Sequence, residues 1–186
     1  MLKTTTCFEN KVVVVTEKRD GENTTLYRNG VHARSLDSGY HESRSWILQL
    51  QATIGHNIPE GWRVCGENLY AKHSIAYDQL DTYFEVFSVW NEYNVALSWN
   101  STLEWTALLN LSTVPVLYRG VWPGRKQLDA LWQQCDPNRV EGYVVRLADS
   151  FGFAEFSSSV AKFVRTNHVQ TDQHLKRNWT PNSLRG

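Results

Sequence analysis

"VVVVTEKRDGEN", residues 12–23, runs four valines into a lysine flanked by charged residues and stopped at Asp20-Gly21. Consecutive β-branched residues with no polar alternation describe a strand that is apolar on both faces and covered on both sides. The pattern predicts a strand over residues 11–17 and a second over 24–28. The charged stretch 17–23 lies between them, and Asn29-Gly30 marks the next turn. Alternation along the first strand sets Lys18 on the face of Val12, Val14 and Thr16, with Glu17 and Arg19 on the other face. A surface lysine needs no such carriage. At pH 7, with a reference pKa of about 10.4, making the free amine costs roughly 4–5 kcal/mol, and burial or nearby cations lower that cost. Delivering a lysine on an apolar strand therefore makes sense if its amine must attack something. The plain alternative is a strand-end lysine before a turn. From average composition, Lys-x-Asp-Gly arises by chance in about one chain in twenty of this length.

Outward from this stretch, "SRSWILQLQATIGHNI" (43–58) spaces Trp46, Leu50 and Ile54 four apart, predicting an amphipathic helix that ends near Gly55. "WRVCGENLYA" (62–71) and "TYFEVFSVWN" (82–91) predict strands, and "VALSW" (95–99) pairs with the latter across residues 92–94. Ser101-Thr102-Leu103-Glu104 has the capping-box pattern and predicts a helix through about Leu111. "VPVLYRG" (114–120) and "EGYVVRLA" (141–148) predict strands around a helix in "RKQLDALWQQC" (125–135), and the last ten residues suggest a loose tail. Strands outnumber helices without alternating regularly with them, which favours an antiparallel α+β domain over a doubly wound one.

The 186 residues suit one domain able to bury a core without staples. Three cysteines, Cys7, Cys65 and Cys135, are an odd number with no Cys-x-x-Cys pair. This argues against a disulfide framework or zinc ribbon and suggests reduced thiols in a cytoplasmic setting. No apolar leader or span of about 18 apolar residues is visible, so no membrane partner is expected. Nineteen basic and nineteen acidic residues cancel, so any nucleic acid must be gripped by a local patch. Eight tryptophans, eight tyrosines and seven phenylalanines are first of all core material.

Lys18-x-Asp20-Gly21 resembles motif I of the covalent nucleotidyltransferases, the superfamily of polynucleotide ligases and capping enzymes. Arg34-Ser35 in "HARS", Gly66-Glu67 in "CGENLY", "YFEVFSV", Glu141-Gly142 in "EGYVVR" and Lys162 in "AKFVR" look like the remaining motifs in the family's order. The wording of "TEKRDGEN", "GENLYAKHSIAY", "EGYVVRL" and "AKFVRTNHVQTD" is similar to ATP-dependent RNA ligases of the RNA ligase 2 and RNA-editing-ligase type.

That resemblance implies a nucleotidyltransferase (adenylation) domain of two mainly antiparallel sheets flanked by helices, with a nucleotide cleft between them. Lys18 becomes the nucleophile that attacks the α-phosphorus of ATP, and Glu17, beside it, joins the nucleotide site. Arg34 is suited to hold a phosphate, Glu67 to accept a ribose hydroxyl proton, and Phe87 to stack on adenine. Glu141 resembles the carboxylate that positions Mg2+ or Mn2+. Lys162 resembles the first basic residue of motif V. The family's Lys-x-Lys is replaced here by Val164 and then Arg165, giving Lys-x-x-Arg.

The implied domain covers 1–165, followed by a polar tail over 166–186 and no separate further domain. The implied partners are RNA ends, or DNA or hybrid ends, bearing a 5′-phosphate and a 3′-hydroxyl, with a partner protein as an option for end binding. Two alternatives stand beside sealing. One is a self-adenylylating enzyme that modifies ends without joining them, and the other is a non-catalytic nucleotide- or nucleic-acid-binding module. His32, His41 and His73 lack metal spacing and read as loop or surface histidines. His168, Asp172 and His174 read as a solvated cluster that could instead touch nucleic acid.

Overall fold

The computed structural model describes residues 5–33, 42–136, 139–164 and 179–186. Its strands are β1 (Val12–Lys18), β2 (Glu22–Tyr27), β3 (Gly30–Ala33), β4 (Arg63–Asn68), β5 (Phe84–Trp90), β6 (Val95–Ala96), β7 (Ser112–Thr113), β8 (Val116–Val121), β9 (Gly142–Leu147), β10 (Phe151–Gly152) and β11 (Val160–Val164). The helices are α1 (Ser45–Ile54), α2 (Trp99–Leu108), α3 (Arg125–Trp132) and the single turn α4 (Phe156–Ser159).

Two sheets face each other. One has four strands in the order β11-β9-β1-β8, all antiparallel. The other has seven, in the order β10-β6-β5-β4-β2-β3, with β7 added parallel to β5. The expected α+β class with two mainly antiparallel sheets is the observed architecture.

The valine run explains itself in this setting. Val13 and Val15 pack with Phe8, Leu128, Tyr143 and Val145 beneath α3, while Val14 turns inward to Trp99, Val114 and Ala148. A central strand covered on both faces must be apolar on both. The outer face of the larger sheet is closed by α1 and α2, whose Ile47, Ile54 and Leu109 side pack on Leu26, Val64, Phe84, Val86 and Val89. The layers are therefore helices, large sheet, cleft, small sheet and helix.

Several expectations need correcting. The cap of the second helix lies three residues before the proposed capping box, at Ser98, which accepts from the Ser101 amide at 3.2 Å. Burial decides the start, because Trp99, Thr102 and Thr106 share the inward side. The helix also stops before Leu111, as Asn110 adopts a left-handed φ of 53°. Glu17 and Arg19 do not point away from the cleft. β1 ends at Lys18, its pairing with β8 slips between Val15 and Thr16, and both side chains border the cavity beside Lys18. The tail is not loose over 179–186. Ala71 bridges to Pro181 and Leu80 to Leu184, and Asn182 is buried. Among the described residues no helix is long and apolar enough to cross a membrane.

Candidate active site

The register of the small sheet builds one wall of the cleft in rows. Lys18 lies opposite Gly142, which lies opposite Val164. The next row is Thr16, Val144 and Lys162, and the third is Val14, Arg146 and Val160. Lys18 and Lys162, 144 residues apart in sequence, thus project from adjacent rows of one face. Gly142 permits this closeness, since a Cβ there would stand 2.0 Å from the Phe163 carbonyl oxygen.

Glu141 precedes β9, so the pairing of Gly142 with Lys18 brings its carboxylate to the lysine. Lys18 Nζ is ion-paired with Glu141 Oε2 and also lies 3.4 Å from the Arg19 carbonyl oxygen. Glu141 is 0% exposed, while the Lys18 side chain keeps 16% of its surface open. A buried carboxylate opposite a largely covered amine at a strand end is a costly arrangement that packing alone does not require.

The opposite wall comes from β2, β4 and β5. Asn23 pairs with Glu67, and Glu67 with Glu85. Glu67 Oε1 accepts from the Gly21 amide at 3.0 Å. Burial pushes its carboxyl up to about 7, against the pull of Lys18 and the Gly21 amide and with help from Glu141 and Asp20. Arg19 crosses from the end of β1 to β5. Its Nε and Nη2 donate to the two Glu85 oxygens at 2.6 and 2.9 Å, and Nη1 donates to Glu17 Oε2 at 2.8 Å. Burial also raises the Glu17 carboxyl, opposed by Arg19.

Between the walls is a cavity of about 700 Å³, lined by Glu17, Lys18, Glu67, Phe87, Val144 and Lys162 among others. Arg146, 5% exposed, also lines it, and its Nη2, Nη1 and Nε donate to the carbonyls of Leu97, Phe87 and Leu147 at 2.6, 3.2 and 3.1 Å. The Arg146 guanidinium also lies over Trp99 and Phe151, and desolvation lowers it to about 10.

The structure thus brings together six of the sequence-derived residues: Glu17, Lys18, Glu67, Phe87 and Lys162 at the cavity, and Glu141 against Lys18. Arg34 and Arg165 lie outside the described residues, as do His41, His168, Asp172 and His174. His32 is exposed, and among the described residues no set of three or more His, Cys, Asp or Glu side chains converges on a metal position.

Sequence reading missed Arg19, Glu85, Val144 and Arg146. Val144 and Arg146 were accessible through the alternation of "EGYVVR", in which every second residue shares the Val144 side. Glu85 was accessible through its spacing of two from Phe87.

Two facing, mainly antiparallel sheets with a lysine in the cleft between them form a fold shared with solved RNA ligases. The sequence matches the RNA ligase family over residues 11–164, and the chain belongs to that family. Among solved structures it is similar to an archaeal ATP-dependent RNA ligase, at TM-score 0.61 and 14% identity, covering 87% of this chain and 44% of that one. It is also similar to Naegleria gruberi RNA ligase with PPi, at TM-score 0.60 and 16% identity, covering 88% and 52%. A mutant of the Naegleria protein with AMP and Mn gives TM-score 0.57 and 16% identity, with the same coverage of 88% and 52%. This chain therefore spans about half the length of those ligases. No curated protein matches it.

Proposed function

We propose that this chain is the nucleotidyl-transferring part of an ATP-dependent RNA ligase, with Lys18 as its nucleophile. The observation that carries the reading is the pairing of Lys18 with buried Glu141 at the edge of a 700 Å³ cavity that also holds Phe87 and Lys162. The Lys18 amine attacks the α-phosphorus of ATP, the bond to the β-phosphate oxygen breaks, pyrophosphate leaves, and a lysyl-N–AMP phosphoramide remains. Two protons leave the nitrogen in all, one to free the lone pair as the ion pair with Glu141 opens and one as the P–N bond forms, and both pass to solvent, to which the Lys18 side chain keeps 16% of its surface open. AMP then passes to a 5′-phosphate end of RNA, and a 3′-hydroxyl displaces it to seal the strand.

In this reading Phe87 stacks on the base and Glu67 takes a ribose hydroxyl, while Lys162 neutralises phosphate charge. Chemistry of this kind is mostly positioning and charge stabilisation, which suits a site made of lysines, arginines and glutamates. A divalent ion fits the donor set, because magnesium is commonly held by one or two carboxylates together with substrate phosphates. Glu141 would hold it, and when bound it supplies charge neutralisation at the phosphates. The structures of Naegleria RNA ligase with PPi and with AMP and Mn support this ligand set.

Incubation with α-labelled ATP and Mg2+ or Mn2+ tests the first step. Covalent label is expected on the wild-type chain, and none on a Lys18→Ala chain that circular dichroism shows to be folded. A wild-type chain that never takes label overturns the reading. Nicked duplex, single-stranded and hairpin RNAs with 5′-phosphates, and DNA or hybrid counterparts, then test sealing. Adenylate transfer without joining would leave a self-adenylylating enzyme that modifies ends.

A further inference from the structure

Lys18 sits one residue from a turn whose support comes from the far end of the sequence. Asp20 is buried. Its amide donates to the Tyr77 hydroxyl at 3.0 Å, and its Oδ2 accepts from the Ile75 amide at 2.7 Å. Gly21 is wedged against the start of the same segment, for a Cβ there would stand 2.9 Å from Leu69 Cδ2 and 2.5 Å from the carbonyl oxygen of Asn68 just before it. Residues 69–83 contain few regular hydrogen bonds of their own. They close over a small core of Leu69, Ile75, Tyr77 and Leu80.

Residues 179–186 supply what this segment lacks. Asn182, 5% exposed, accepts at Oδ1 from the Tyr77 amide at 2.9 Å and donates from Nδ2 to the Leu69 and Ala71 carbonyls at 2.8 and 3.4 Å. Its main chain adds a bond from its amide to the Tyr70 carbonyl at 2.9 Å and accepts from the Tyr83 hydroxyl at 3.1 Å. Amide bonds from Ser183 to Tyr77, from Leu80 to Ser183 and from Lys72 to Thr180, at 3.0, 3.1 and 2.8 Å, extend the clasp on both sides. A fully satisfied buried amide is strongly directional, and removing it leaves several buried partners unmet.

We infer that Asn182 is a positioning residue for the nucleophile: through Tyr77 and Asp20 it fixes the turn that holds the Lys18 amine at its attack position. The inference rests on the nucleotidyl-transfer reading of Lys18. Asn182 touches neither the lysine nor the cavity, so its loss should act on the rate of the chemical step and not on nucleotide capture.

The test uses Asn182→Ala and, as a milder variant that keeps the buried ring, Tyr77→Phe. Self-adenylylation kinetics at varied ATP are expected to show kcat reduced at least tenfold in Asn182→Ala and about threefold to tenfold in Tyr77→Phe, with KM for ATP within twofold of wild type. Amide hydrogen exchange is expected to accelerate at least tenfold at Asp20 and Gly21 in both variants, while Val13–Val15 keep wild-type protection. A wild-type kcat in folded Tyr77→Phe, a rise in KM with kcat preserved, or unchanged exchange at Asp20 and Gly21 would each overturn the inference. The exchange arm needs no activity, so a chain that takes no label would sink the nucleotide reading while exchange alone judges the clasp.

Discussion

The two walls of the cleft are built from opposite chemistry. The four-stranded wall presents mainly cations, with Lys18, Lys162 and Arg146 on successive rows, the buried carboxylate of Glu141 set against the first of them and Glu17 held by Arg19. The seven-stranded wall presents carboxylates and rings: Glu67, Glu85, Phe87 and Trp90, with Glu85 occupied by Arg19. On the proposed reading, phosphates would lie against the small sheet and the nucleoside against the large one. The difference teaches that neither sheet is a site alone; strand register on one and side-chain alternation on the other must both be in place.

The sharpest way to break this division is at its fully buried exception, Glu141. Glu141→Gln keeps the shape but removes the anion beside Lys18, and lysyl-nucleotide formation is expected to fall at least about a hundredfold in single-turnover labelling. Near-wild-type labelling would mean that the buried carboxylate belongs to folding and not to the reaction.

Arg146 joins the walls, since a side chain from β9 donates to main-chain oxygens of β5 and of the stretch before α2. Arg146→Met fills much of the volume but leaves three carbonyls without their donor. A loss of about 2–4 kcal/mol in urea unfolding is expected. A loss under about 0.5 kcal/mol would show that the walls hold together without it.

The smallest effect concerns Glu67 and has a definite sign. Its carboxyl is raised to about 7 in the folded chain, so between about pH 4.5 and 7 the folded state binds more protons than the unfolded one. Its contribution to stability is therefore greatest at low pH and declines as pH rises through that window. Glu67→Gln has nothing to ionise and should be more stable than wild type at pH 8 by about 1–3 kcal/mol, with the difference vanishing near pH 4.5. Stability curves that stay parallel across this range would contradict the burial of that carboxylate.

Much of the small-sheet wall could be read before any fold was known. Four valines announce a doubly covered strand, and Lys18, Glu141 and Lys162 stand at motif positions that the register then aligns. The large-sheet wall was harder to read. Phe87 from sequence is indistinguishable from a core phenylalanine, and Glu85 finds its meaning only through Arg19, 66 residues away. Arg146 looked like an ordinary strand cation because nothing local shows that its partners are carbonyls of another sheet. The tail misled for a related reason. A polar composition near "NWTPNSLRG" suggests solvation, yet Asn182 buries a side-chain amide with three partners, and a main chain with two more, about a hundred residues earlier. Composition records the cost of burying such a group and gives no sign of the bonds that offset it.

Gly142 has a further consequence for how freely this sequence can drift. With only 2.0 Å between a would-be methyl carbon and the Phe163 oxygen, any side chain at this position forces β11 outward. Lys162 rides on that strand, so a mutation with no chemistry of its own would withdraw a positive charge from the cleft. A single missing carbon atom therefore acts as the spacer that sets the reach of a distant cation.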